Sequence, residues 1–113
     1  MEFTHFDKNG KALMVDVTEK EETVRCAVAA GKILVSPAVY RAIEEGTVSK
    51  GDVLNVAATA GIMGAKRTSE LIPMCHILPL THCRVQFEMD PEECAVHCYC
   101  TVKVTGKTGV EME

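Results

Sequence analysis

The sequence predicts an α+β domain in which an antiparallel β-sheet carries helices packed on one face, and three observations predict it. Two alternating stretches, 83–89 and 96–104, flank a turn. A third alternating run covers 24–35. Between them lie segments whose apolar residues recur at helical spacing.

Taken in order, Asn9-Gly10 is a turn signal that would join residues 3–6 to 12–17 in a short hairpin. From Val24 the chain alternates, with Val24, Cys26, Val28 and Ala30 on one side. After Gly31 the apolar set shifts to Ile33 and Val35. An extra residue in a strand resets which side faces inward, so a β-bulge at Gly31-Lys32 is expected within a strand over 24–35. Ser36-Pro37 pairs a capping hydroxyl with a proline at the first helical position, and Gly46 supplies a stop, predicting a helix over 37–45.

Asp52 is the expected cap of a second helical segment, running from Val53 to Leu71 without a proline. It is crowded with Ala57, Ala58, Ala60, Gly61, Gly64 and Ala65. Each glycine costs a helix about 1 kcal/mol relative to alanine, so this composition predicts close packing against a sheet or another helix. Pro73 and Pro79 then bracket a stretch that cannot be helix interior. Cys83, Val85, Phe87 and Met89 alternate with polar residues, as do Val96, Cys98, Cys100, Val102 and Val104, and Asp90-Pro91-Glu92-Glu93 is the turn between them. Finally, Thr108-Gly109-Val110-Glu111 is a capping box, which predicts a helix starting there and continuing past Glu113.

With 113 residues the chain is expected to form one domain, 1–113. A composition 47% hydrophobic and 25% charged excludes intrinsic disorder. No apolar run approaches the ~18 residues of a membrane span, and residues 1–5 lack a basic-then-apolar leader, so a cytoplasmic protein with no membrane partner is expected. A net charge of −4 and an aromatic content of 4% without tryptophan argue against nucleic acid as a partner. The six cysteines are expected to be reduced thiols rather than a disulfide framework.

Three chemical constellations compete. Thr105-Gly106-Lys107-Thr108 resembles the end of a phosphate-binding loop, but the glycine required five residues before the Gly-Lys pair is Thr101. Cys75, His76, Cys94, Cys98 and Cys100 are zinc-ligand types without any Cys-x-x-Cys pair, and strand cysteines behave as small hydrophobes, so no metal site is assigned. Lys50, Lys66, Arg67 and Lys107, with Arg25, form a basic set. It is either a solvated charged face or a site for a substrate carrying several phosphates, and the residues alone leave both open. Glu111 serves the capping box, which leaves Glu113 for function.

Seven motifs occur in order: Met14-Val15-Asp16-Val17, Glu22-Thr23-Val24-Arg25, Lys50-Gly51-Asp52-Val53, Ala60-Gly61-Ile62, Ala65-Lys66-Arg67-Thr68, Leu71 to His76, and Thr105 to Glu113. Together they resemble the cyclic pyranopterin monophosphate synthase family, the molybdenum cofactor biosynthesis protein C group, from about Met14 to the last residue. The resemblance implies a ferredoxin-like α+β fold and a lyase that converts 3′,8-cyclo-7,8-dihydro-GTP to cyclic pyranopterin monophosphate and diphosphate. It also implies a homohexamer, a trimer of dimers, with the active site at a dimer interface and no metal or organic cofactor. On this resemblance Lys50 is catalytic, Lys66 and Arg67 bind phosphate, and Met74, Cys75, His76, Met112 and Glu113 contact substrate. His76 would donate to a phosphate or ribose oxygen, and Glu113 would accept from the guanine-derived ring or a water. In that family the capped helix continues past Glu113 and carries an Asp and a Lys that complete the acid–base set. The domain is therefore expected to lack that helix and tail. A truncated, non-catalytic relative that keeps a nucleotide-triphosphate pocket is the alternative, and a zinc-stabilised domain is a third reading.

Overall fold

The structure, a computed structural model, describes residues 6–49 and 51–113. Strand β1 is Thr23–Leu34, followed by helices α1 (Pro37–Glu45), α2 (Val53–Lys66) and the short α3 (Thr68–Leu71). Strands β2 (His82–Asp90) and β3 (Ala95–Gly106) complete an antiparallel sheet in the order β1-β3-β2. Helix α2 packs against β2 on one face of this sheet, in an α+β arrangement consistent with a ferredoxin-like fold.

Local chemistry sets the helix boundaries. The Ser36 hydroxyl accepts the Val39 amide at 3.2 Å, and Gly46 closes α1 in the left-handed region at φ 70°. Asp52 accepts the Asn55 amide at 3.2 Å and opens α2. The helical run predicted through Leu71 breaks at Arg67 (φ −109°, ψ 13°). There the buried Thr68 hydroxyl donates to the Ala65 carbonyl at 2.9 Å, a local side-chain bond that competes with helix continuation, and only the single turn α3 follows.

The β2–β3 hairpin has the predicted faces. Cys83 pairs with Val102, Val85 with Cys100, Phe87 with Cys98 and Met89 with Val96, all on the side that faces α2. At its turn, Asp90 accepts the amides of Glu92 and Glu93, while Cys94 takes φ 55°, a conformation that nothing in the cysteine's chemistry announces.

The predicted bulge at Gly31-Lys32 is absent, because β1 pairs with β3 without interruption from Thr23↔Gly106 to Leu34↔Ala95. The expectation assumed that Val24, Cys26 and Val28 face the core. Arg25 and Ala27 do so instead, and the Val24 side of β1 is exposed. With the apolar set already outside, no register change is needed. The N-terminal hairpin reduces to a single bridge, Phe6↔Ala12, around Gly10 at φ 77°, and residues 3–5 of the expected hairpin lie outside the described residues.

The core is small: Ala65, Val102, Val104 and Val110 are buried, with Ala27, Leu78, Leu80, Cys83 and Cys100 packed around them. Val110 therefore anchors the segment after β3 to the sheet. The helix predicted from the capping box does not form over 109–113.

Candidate active site

Three irregular segments meet beside this core and enclose a cavity of about 390 Å³. Val15, Val17 and Lys20 come from the strap that precedes β1. Ile72, Met74, Cys75, His76 and Leu78 come from the proline-framed stretch. Thr108, Gly109, Glu111, Met112 and Glu113 come from the segment anchored by Val110. The walls are mostly apolar with a few polar groups, and the volume is that of a small-molecule site.

Burial first, and the Glu113 charge second, hold the Cys75 thiol above its ordinary pKa, which favours its neutral form. Burial also raises the Glu113 carboxyl, with the Glu111 charge adding to it. The Glu111 side chain folds back over the Cα of Gly109, occupying the place where a side chain there would begin.

His76 Nε2 lies 2.6 Å from the Val15 carbonyl. A carbonyl only accepts, so Nε2 carries the proton and donates, leaving Nδ1 as the ring atom available to a ligand. This bond commits Nε2 to the strap.

Five predicted substrate contacts, Met74, Cys75, His76, Met112 and Glu113, therefore line one cavity. Lys66 and Arg67 do not line it; both are exposed at the C-terminal end of α2. Lys50 lies outside the described residues. Lys20 is the one Lys or Arg among the described lining residues, and sequence reasoning missed it. Its flanks, Glu19 and Glu21, give it the look of a solvated charge, and only the turn closed by the Lys20 amide on the Val17 carbonyl brings it to the wall. Arg25, on the inner face of β1, has a buried Nε without a hydrogen-bond partner among the described residues.

Cys98 and Cys100 are held protonated by burial, and among the described residues no three of the predicted zinc-ligand types converge. Asp90, Glu93 and His97 do cluster at the hairpin end. Two of these side chains are already engaged, Asp90 with His97 Nε2 at 2.9 Å, and the third, Glu93, pairs with Lys32 at 2.6 Å.

The MoaC family profile matches residues 14–113. The chain belongs to the MoaC family. Among its relatives, the cyclic pyranopterin monophosphate synthase of Clostridium botulinum (strain Alaska E43 / Type E3) is 57% identical over 111 residues, covering 98% of this chain and 70% of the relative. That of Clostridium acetobutylicum is 50% identical over 111 residues, 98% of this chain and 69% of the relative. The Trichlorobacter lovleyi protein of the same name is 50% identical over 113 residues, the full chain and 71% of the relative. The profile begins at Met14, so the strap, the proline-framed stretch and the Val110 segment all fall within the family region.

Proposed function

We propose that this chain is a cyclic pyranopterin monophosphate synthase, a lyase of molybdenum cofactor biosynthesis acting on the small molecule 3′,8-cyclo-7,8-dihydro-GTP. The observation that carries the reading is the convergence of Met74, Cys75, His76, Met112 and Glu113 on one cavity in a MoaC family chain. Closing the cyclic phosphate joins a substrate hydroxyl oxygen to the innermost phosphorus, expels diphosphate and sends the hydroxyl proton to a base. Positioning and charge neutralisation dominate such a displacement.

In this reading Lys50 is the catalytic proton-transfer group, and Glu113 exchanges a proton with the guanine-derived ring or a water. His76 presents Nδ1 to the substrate, while Met74 and Met112 pack on its apolar parts and Cys75 donates to it. Lys66 and Arg67, which do not line the cavity of their own chain, neutralise phosphates of a substrate held at a subunit interface. Residues 1–113 act as one catalytic domain in a cytoplasmic homohexamer built from dimers.

The exposed apolar side of β1 supports association. Val24, Val28 and Leu34 on the outer face of β1 are 76%, 66% and 66% exposed.

The test supplies the cyclised substrate to the purified protein and follows pyranopterin and diphosphate, with sedimentation of the same sample. Equal amounts of both products, and a drop of at least about 10²-fold for Lys50→Ala, are expected. Substrate left unconsumed by wild type overturns the activity, and full turnover by Lys50→Ala overturns the catalytic assignment.

A further inference from the structure

We propose that Lys107 is a positioning residue that fastens the strap 15–20, and with it Lys20, against the cavity. The strap has no regular structure, and its internal bonds only shape its turn. The Asp16 carboxylate accepts the amide and hydroxyl of Thr18, and the Lys20 amide donates to Val17. Two side chains from elsewhere in the fold hold its backbone among the described residues: His76 through the Val15 carbonyl, and Lys107 through the Thr18 carbonyl at 3.3 Å.

Lys107 belongs to the same turn as Thr108 and Gly109, yet those two line the cavity and Lys107 does not. Its ammonium is directed to the strap, where the Asp16 carboxylate adds a second attraction. The sequence places Lys107 in a basic set whose role it leaves open, and the geometry gives it the task of placing another cation. Val15 and Val17 turn inward between the two fastenings, so loss of the Lys107 bond frees the end of the strap that carries Lys20 while His76 still holds the other.

The kinetic part of this inference rests on the proposed synthase activity, and the exchange part does not. Hydrogen exchange would be measured at the amides of residues 15–20 in the full chain, as wild type, Lys107→Met and Lys107→Arg. Exchange at the Lys20 amide is expected to quicken at least about 10-fold in Lys107→Met, and to return toward wild type in Lys107→Arg, whose guanidinium still reaches a carbonyl. With the cyclised substrate, Lys107→Met is expected to raise KM about 10-fold with little change in kcat, the pattern of lost uniform binding. Adding Lys20→Met should then cost no more, because both changes act through the same Lys20 cation at the cavity. Unchanged exchange in Lys107→Met overturns the positioning role, as do independent, multiplying effects of the two substitutions. If wild type fails to turn over substrate, the synthase reading falls and the exchange result alone decides the strap.

Discussion

Gly61 of α2 lies directly against Val85 of β2: a methyl group added at Gly61 would sit 3.1 Å from Val85 Cγ2. This contact lets the helix backbone settle onto the inner face of the sheet. Gly64, one turn on, has open space at the same position. The two glycines of one helix therefore answer to different physics.

Gly61→Leu is expected to destabilise the chain by about 1–3 kcal/mol through overpacking. Val85 is β-branched and yields poorly, so the loss should shrink when Val85→Ala is made alongside. Gly64→Ala should instead stabilise by up to about 1 kcal/mol through helix propensity alone. Urea midpoints at constant m-value check all three. Equal losses from Gly61→Leu with and without Val85→Ala would mean that the helix does not rest on Val85.

The acid range separates two carboxylates of opposite sign. Burial holds Glu113 above the ordinary glutamate value, so the unfolded chain releases that proton first as pH rises. Stability should fall as pH rises through the interval between the two values, and Glu113→Gln should remove this fall. Asp90 is held below its ordinary value, first by the hydrogen bond from His97 and then by the Glu93 amide. Its contribution is present above the ordinary aspartate value and is lost as pH falls through the depressed one, so Asp90→Asn should flatten the acid limb. Unfolding midpoints between about pH 3 and 6 resolve the pair. Parallel curves for both variants would contradict the assignment.

The hairpin was legible in the sequence because one of its faces is buried, and burial is what makes alternation informative. β1 misled because its more apolar side is not the one that faces the core. Its apolar alternation, Val24 to Ala30, faces outward, and a bulge was inferred from a pattern that the fold does not use. The small residues of α2 did announce close packing, yet only the contact at Gly61 reveals which residue needs it. The cavity segments were marked by Pro73, Pro79 and the Thr108 to Glu111 box. The division between Lys20, which lines the wall, and Lys107, which fastens the strap, was invisible because it depends on contacts across 89 positions of sequence.

Gly109→Ala tests whether the place of Glu111 matters. The new methyl would occupy the space where the Glu111 carboxylate lies, and that carboxylate, at the end of a flexible side chain, would swing away. Gly109 does not have a positive φ, so alanine brings no backbone strain. Turnover of the cyclised substrate is expected to fall about 10- to 100-fold, the usual scale for a group displaced by an ångström, with a thermal midpoint near that of wild type. A lowered midpoint with unchanged turnover would place the contact in stability instead.

Cys75 provides the last prediction, because its chemistry follows from its surroundings. Burial and the neighbouring Glu113 charge both disfavour the thiolate, which is the nucleophilic form. Alkylation of Cys75 by iodoacetamide near neutral pH should therefore be at least about 10-fold slower in the folded chain than in urea. Glu113→Gln should speed it in the folded chain by removing the adjacent charge. As a neutral donor, Cys75 should tolerate serine better than alanine. Cys75→Ala should cost a few-fold in kcat/KM, the scale of one hydrogen bond of about 0.5–1.5 kcal/mol, and Cys75→Ser should recover part of it. Peptide mass spectrometry of the alkylated chain reads the first effect and steady-state kinetics the second. Fast alkylation of the folded protein at Cys75, with activity lost equally in both substitutions, would make it a reactive thiolate and remove the neutral-donor role.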